Sequence, residues 1–227
     1  MLALKQGLSL VSTPKLRKWS PDDETSLVAW YQNRVGIVLN GSDVERWEDS
    51  APDGLYDMVQ AVEGQQPAYS AGALSFVSSA RDYLQTSAQI SLTGAFTIGI
   101  RIFPDITTTG TFIGDNTDSG EKFKINGTAT LLITIGGSHK TIVLNGSEEF
   151  GDDYLVITRN GSDLISLWRN GIVQTQTKTL AGTSEIDSIS VRYSGVDNFD
   201  GTIEEIQIYS STSADLTANI NDRLKDL

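Results

Sequence analysis

The sequence predicts an all-β protein: an antiparallel jelly-roll β-sandwich with an extended N-terminal arm and a short C-terminal helix. Three observations carry this. Phe96, Ile98, Ile100 and Ile102 alternate strictly along Ala95–Asp105, the period of a strand with one buried face. Asn-Gly or Gly-Gly pairs stand at positions 40–41, 126–127, 136–137, 145–146, 160–161 and 170–171; such pairs close tight hairpins because both residues tolerate positive φ. Turn residues recur roughly every 8–12 residues through the body, the spacing of short strands in a sandwich or jelly roll.

Along the chain, Ser20–Ser26 is a polar break and Leu27–Asn33 reads as a strand. Val44–Gln60 reads as irregular, with Pro52 and Gly54 marking turns. Ala73–Thr86 reads as a short hairpin. "TFIGDN" and "KFKING" read as short strands around an acidic loop, and "TLLITIGG" with "HKTIVLNG" as the next pair. Asp153–Leu180 holds three apolar runs punctuated by Asn160-Gly161 and Asn170-Gly171, the signature of a meander. "IDSISVRYSG" and Phe199–Ser210 supply two more strands. The tail alone is helical: Ser213 is placed to cap, and Leu216, Ile220 and Leu224 fall four apart on one face. No linker divides the body, so residues 1–26 are read as a basic arm and residues 27–227 as one sandwich domain.

The net charge is −12 over 227 residues. Residues 1–20 carry Lys5, Lys15, Arg17 and Lys18 and no acid, so the remainder carries −16. An acidic body excludes nucleic acid as the expected partner, since phosphate contacts need Lys and Arg. No apolar run approaches the roughly 20 residues of a membrane span, so no membrane partner is expected. Lys5, Gln6 and Gly7 interrupt the N-terminal apolar residues, so no export signal is read, and there is no cysteine. Four of the Asn-Gly pairs also read as Asn-x-Ser/Thr sequons. Without export they meet no glycosylation machinery, and Asn170-Gly171-Ile172 shows the pair recurring where no sequon exists. The pairs are therefore read as turns.

"LISLWRNGIVQ" followed by "FDGTIEEIQIYSSTSADLTANI" resembles the end of concanavalin A-like lectin/glucanase domains of the laminin-G-like type, of the kind seen in bacteriophage structural proteins. The matching residues are Trp168, Asn170 and Gly171, then Phe199, Gly201, Ile203, Glu205, Ile208 and Tyr209. "AFTIGIRIFPD" is similar to that family's early core strand, and "LVAWYQN", "VERWEDSAPDG", "QQPAYSAGALSF" and "DYLQT" resemble its N-terminal half. The resemblance covers roughly residues 27–226. The fold hosts lectins, hydrolases and plain structural domains, so it specifies no function. The matching residues also have simple structural readings: Asn170-Gly171 closes a hairpin, Phe199 and Tyr209 pack, and Gly201 permits close backbone approach.

The resemblance implies where hydrolase chemistry would sit, on a strand reading Glu-x-Asp-x-(x)-Glu, with two carboxyls about 5 Å apart across the scissile bond. "EIDSIS" supplies Glu185 and Asp187 but offers Ile189 or Ser190 at the third position. Glu204 and Glu205 are adjacent, and so are expected on opposite faces of their strand. His139 is the single histidine and reads as a solvated residue beside a turn. Catalysis is therefore not expected. Asp115, Asn116, Asp118 and Glu121 present hard oxygens within one loop, a candidate Ca²⁺ set; Asp197 and Asp200 form a weaker one. A sugar needs an aromatic platform, and Trp30, Tyr31, Trp47, Tyr56, Tyr69 and Tyr193 are available. Trp47 and Tyr56, in the irregular stretch, are the candidates for glycan contact.

Three readings follow, of which a glycoside hydrolase is the third and is disfavoured by the missing third acid. The first is a non-enzymatic structural or decoration protein of a virion, made in the host cytoplasm without a signal peptide and present in many copies. Its arm, through Leu8, Leu10, Lys15, Arg17 and Lys18, docks on other virion proteins. The second is a glycan-binding adhesin module, with or without Ca²⁺ as cofactor, facing a cell-surface glycan.

Overall fold

The strict alternation at Phe96–Ile102 lies at the centre of the molecule. The computed structural model describes residues 17–105, 109–117, 120–147, 149–193 and 195–227. After a 3-10 turn at Pro21–Asp23 come β1 (Leu27–Tyr31), β2 (Ile37–Asn40), β3 (Asp43–Trp47), β4 (Met58–Val59), β5 (Ala68–Ser70) and β6 (Ala73–Phe76). The long strands β7 (Leu84–Thr93) and β8 (Phe96–Pro104) lead to β9 (Gly110–Gly114) and β10 (Lys122–Ile125). Then follow β11 (Thr130–Ile135), β12 (Ser138–Val143), β13 (Asp153–Arg159), β14 (Leu164–Arg169), β15 (Ile172–Val173) and β16 (Lys178–Thr179). The chain closes with β17 (Thr183–Ile189), β18 (Gly201–Tyr209) and the helix α1 (Ala214–Lys225).

Every ladder between named strands is antiparallel, and the strands form two layers. One runs β6 and β1 beside β18, then β8, β13 and β14, with β15 and β16 at the edge. The other runs β2, β3, β4, β7, β17, β9, β10, β11 and β12. The layers are continuous at β5, which pairs with β3 on one side and β6 on the other. Phe96, Ile98, Ile100 and Ile102 point between them, all buried. Rings from the two layers meet there: Phe96 of β8 stands edge-on to Phe123 of β10 at 6.3 Å, and Tyr31 of β1 lies 5.6 Å from Trp47 of β3.

Four of the five Asn-Gly pairs stand where adjacent strands reverse, at 40–41, 126–127, 160–161 and 170–171. Asn170 (φ 51°) and Gly171 (φ 76°) are both left-handed, as a two-residue primed turn demands. The turn at Asn160 works differently. Asn160 Oδ1 accepts the N–H groups of Ser162 and Leu164, and Asp163 takes the positive φ. Asn145-Gly146 instead serves the crossover from β12 to β13. Ala73–Thr86 is not a hairpin. β6 pairs with β5 and β18 in one layer while β7 pairs with β4 and β17 in the other, so the 77–83 segment crosses between layers. Val44–Gln60 begins as strand β3 rather than as loop, and His139 is an exposed strand residue of β12.

The outer face of β8 explains the helix. Thr97, Gly99 and Arg101 face away from the core, and a Cβ on Gly99 would stand 2.4 Å from Ile220 Cγ2. That bare position lets α1 lie directly on the sheet. Leu216, Ile220 and Leu224 pack with Val156 and Tyr209 into a second, outer core. Ser213 caps α1, its Oγ accepting from the Leu216 N–H at 3.0 Å. A β-bulge between Ile203 and Glu205 brings Glu205 to this outer face. There it is fully buried and accepts from Arg223 of α1 through both oxygens (Nη2 to Oε2 at 2.9 Å), from Trp30 Nε1–H at 3.1 Å and from the Asn33 N–H at 3.2 Å. Glu204 also turns toward a cation of this face, its Oε2 4.0 Å from Arg101 Nε, so the bulge removes the opposite-face placement expected of the pair. Gly201 (φ 139°) would place a Cβ 2.3 Å from the Phe103 carbonyl, the close approach expected of it.

Removing one partner of a buried ion pair leaves the other charge uncompensated. Glu205→Ala is therefore expected to cost about 3–5 kcal/mol in urea unfolding, whereas Ser213→Ala costs only about 1 kcal/mol. Equal and small losses would show that the helix is not held through Glu205.

Candidate functional site

The edge of the outer core opens into a cleft of about 480 Å³ between α1 and the β14–β15 hairpin. Two aromatics on the outer face of the sheet line it. Tyr154 of β13 and Trp168 of β14 are half-buried, and Trp168 stands opposite Val156 in the ladder. The hairpin tip Asn170, Gly171 and Ile172 forms one wall. Ala214, Thr217, Ala218, Asn221, Asp222 and Lys225 form the other. Those positions are spaced three or four apart, so they share a stripe of the helix beside the Leu216–Ile220–Leu224 stripe. Because the stripe begins with alanines and a threonine, the rings beneath stay accessible.

The hairpin wall is fixed from below. Asp153, buried, accepts from Arg169 Nε at 2.8 Å and from Asn170 Nδ2 at 2.6 Å. Asn170 Oδ1 in turn accepts the Tyr154 N–H at 3.0 Å. Within this frame one buried polar atom lacks a protein partner among the described residues. Asn221 is 9% exposed; its Nδ2 donates to the Thr217 carbonyl at 2.8 Å, and its Oδ1 has no partner. The Tyr154 hydroxyl lies 3.4 Å from where a Cβ on Gly171 would stand. Burial raises the Tyr154 phenol above its ordinary value; the Arg101 guanidinium opposes the rise and the Asp222 carboxylate adds to it. The hydroxyl is a neutral donor and acceptor at physiological pH. The cleft thus joins aromatic surface to a few convergent polar groups, the composition of a small-molecule site.

The aromatics favoured from the sequence are elsewhere. Trp47 is fully buried and its Nε1–H donates to the Gln32 carbonyl at 3.2 Å, so it offers no surface platform. Its alternation in β3 sends it into the core, a strand the sequence reading missed. Tyr56 is half-buried against the main core, and its carbonyl accepts the Tyr31 hydroxyl at 2.6 Å. The signal that would have found the cleft was present: Trp168 and Tyr154 occupy outward positions of their strands, and α1 carries a second, small-residue stripe.

In the acidic rim loop, Asp115 is buried and its Oδ1 accepts the Thr117 N–H at 2.8 Å. Asn116 is half-buried, its Oδ1 accepting from the Gly195 N–H and its Nδ2 donating to Gln85. Glu121 points into the body: Oε1 accepts the Gly136 N–H at 2.6 Å and Oε2 accepts the Glu185 N–H. Asp118 lies outside the described residues. The oxygens of Asn116 and Glu121 expected to hold Ca²⁺ are engaged by backbone donors, and the described residues hold no group of three or more metal-ligating side chains. Asp187 is buried and organises the same loop, accepting the Asn116 N–H at 2.7 Å and Gln85 Nε2–H at 2.9 Å; Glu185 accepts from Ser91. Of the expected arm contacts, Leu8, Leu10 and Lys15 lie outside the described residues. Arg17 pairs with Asp22 and Asp23 of its own chain, and Lys18 with Asp226.

No family model matches the chain, and no curated protein matches it in sequence. Solved structures do match in shape. The binding domain of Paraclostridial Mosquitocidal Protein 1 superposes with a TM-score of 0.60 at 12% identity, over 91% of this chain and 53% of that one. The ligand-binding domain of botulinum neurotoxin serotype D, in complex with N-acetylneuraminic acid, gives 0.57 at 16%, over 88% and 51%. Trypanosoma rangeli sialidase, in complex with sialic acid, gives 0.58 at 14%, over 89% and 33%. The chain spans about half the length of the two toxin domains and a third of the sialidase. The likeness is one of fold, a lectin-like β-sandwich.

Glu121 yields a pH-dependent prediction. Burial raises its carboxyl above the ordinary 4.5, against the favourable N–H groups of Glu185 and Gly136. An acid raised in the folded state contributes stability that is full below 4.5 and is lost as pH rises through its folded value. Glu121→Gln is expected to flatten that slope. It should also lower stability at neutral pH by about 1–3 kcal/mol, because one backbone N–H then faces an amide NH₂. Urea titrations at a series of pH values check both, and an unchanged slope in the variant refutes the assignment.

Proposed function

We propose that the protein is a carbohydrate-binding β-sandwich module and that the cleft between α1 and the β14–β15 hairpin holds the sugar. The observation that carries this is the pairing of Tyr154 and Trp168 with the unpartnered Asn221 Oδ1 in one cleft of about 480 Å³. A pyranose presents an apolar C–H face and a rim of hydroxyls. The aromatic surface takes the first and the amide, phenol, Asp222 and Lys225 take the second. The lectin-like fold, shared with a toxin domain and a sialidase solved with sialic acid, supports the same reading. Attachment of this module to a virion, expected from the sequence, is a separate proposal that rests on the resemblance to phage domains; Arg17 and Lys18 are paired within the chain.

The test separates binding from folding. Ala218 is exposed on the cleft side of α1, so Ala218→Trp fills the cleft without entering either core. The full chain is screened on an array of neutral and acidic glycans, and hits are titrated by calorimetry. Ala218→Trp and Trp168→Ala are each expected to weaken the best hit at least about tenfold, with Ala218→Trp keeping the parental melting temperature. A hit that Ala218→Trp binds as well as the parent places the sugar elsewhere. An array without hits removes the reading.

A further inference from the structure

The two layers end in a second, smaller pocket that the cleft does not involve. It has a volume of about 220 Å³ and is lined by Gln65, Arg81, Tyr83, Asn116, Gly195 and Asn198. Four parts of the chain build it: Gln65 of the 3-10 turn Glu63–Gln65, Arg81 and Tyr83 of the 77–83 crossover, Asn116 after β9, and Gly195 with Asn198 between β17 and β18. Asn116 holds two of them together, donating to Gln85 at 3.1 Å and accepting from Gly195 N–H at 3.0 Å, so its amide is engaged.

Two donors in this pocket are not. The Arg81 side chain is exposed at the pocket and has no ion pair or hydrogen bond among the described residues, in a chain where 29 acids outnumber 17 cations. Its neighbour Asp82 is turned away, buried, with Oδ2 accepting the Val77 N–H at 2.9 Å. Asn198 Nδ2 is buried and has no hydrogen-bond partner among the described residues. An orphaned buried donor is costly, and partners are found for the great majority of such groups. Arg81 also holds φ 61°, a conformation that side-chain-bearing residues adopt at an energetic cost. The volume is below that of a whole drug-sized ligand and fits a head group.

We infer that this pocket is a carboxylate-binding subsite, with the Arg81 guanidinium and the Asn198 amide donating to the two oxygens. A guanidinium matches a carboxylate with two parallel N–H donors, and charge-assisted bonds of this kind are about twice as strong as neutral ones. The carboxylate comes from an acidic sugar or from a simple organic acid. The site stands independently of the aromatic cleft, so either assignment survives the failure of the other.

The experiment is a titration of the ¹⁵N-labelled full chain, followed by NMR, with sodium acetate, sodium D-glucuronate and D-glucose. Both carboxylates are expected to shift the Arg81 Nε–H and Asn198 side-chain signals, and glucose to leave them in place. Glucuronate binding more tightly than acetate identifies an acidic sugar as the source; equal binding identifies a bare carboxylate site. Arg81→Gln should weaken both by roughly tenfold or more, Arg81→Lys should recover only part because the fork is lost, and Asn198→Asp should abolish binding by opposing the charge. Ala218→Trp should bind carboxylates as the parent does. No shift with either carboxylate, or shifts that persist unchanged in both Arg81→Gln and Asn198→Asp, overturns the proposal.

Discussion

The structure depends on one buried carboxylate. Glu205 sits on the outer face of the central sheet, out of water, and an ion in that position is tolerated only when its lone pairs are answered. They are answered from three directions: Arg223 from the helix, Trp30 from β1, and the Asn33 N–H from the loop beyond it. Gln207 Nε2 donates to the same oxygen as Trp30 at 2.7 Å, and Tyr209 completes the chain through the Gln207 Oε1. The Arg223 guanidinium also lies 4.8 Å from the Trp30 ring centroid. A single side chain thus ties the last strand and the terminal helix to the first strand, which lies about 170 residues earlier in the chain. Because such bonds are directional, they fix the rotation of α1 as well as its presence.

That rotation makes the cleft. With Arg223 turned toward Glu205 and Ile220 seated on Gly99, the stripe of Ala214, Ala218 and Asp222 must face the β14–β15 hairpin. The hairpin side has its own fixed frame in Asp153, which holds Arg169 and Asn170 together. Both walls are therefore set by buried carboxylates gripping cations or amides. The floor is aromatic and needs no further placement than strand alternation.

Strand alternation, turn chemistry and helix capping were legible because each is local. Phe96–Ile102, Asn170-Gly171 and Ser213 do what their neighbours within a few residues dictate. The misread elements are those decided by distant partners. β3 was hidden because Trp47 belongs to a strand whose partners β2 and β4 are short. The 73–86 hairpin failed because pairing partners lie in different layers, which no local pattern records. Glu204 and Glu205 were read by strict alternation, and a bulge broke it. The cleft was legible in part, since Trp168 and Asn170-Gly171 stood out as a motif. Their joint use with the helix was not, because nothing in the sequence states which stripe of α1 the sheet leaves uncovered.

The buried acids of this chain are engaged within the fold. Asp49 accepts the N–H groups of Trp30, Ala51 and Tyr56; Asp153 holds Arg169; Asp187 holds the rim loop; Glu121 accepts from the β11–β12 turn and from β17; Glu205 holds the helix. Several of the N–H groups they accept, those of Ala51, Asn116 and Gly136 among them, lie in connections outside the strand ladders, and a buried N–H must find a partner. The carboxylates most tempting from the sequence are therefore the ones that let an irregular sandwich close. Glu185, Asp187, Glu204 and Glu205 are each engaged with a neighbour. The cleft between α1 and the β14–β15 hairpin presents a different mixture: two aromatic rings, the Asn170 and Asn221 amides, one carboxylate and one lysine.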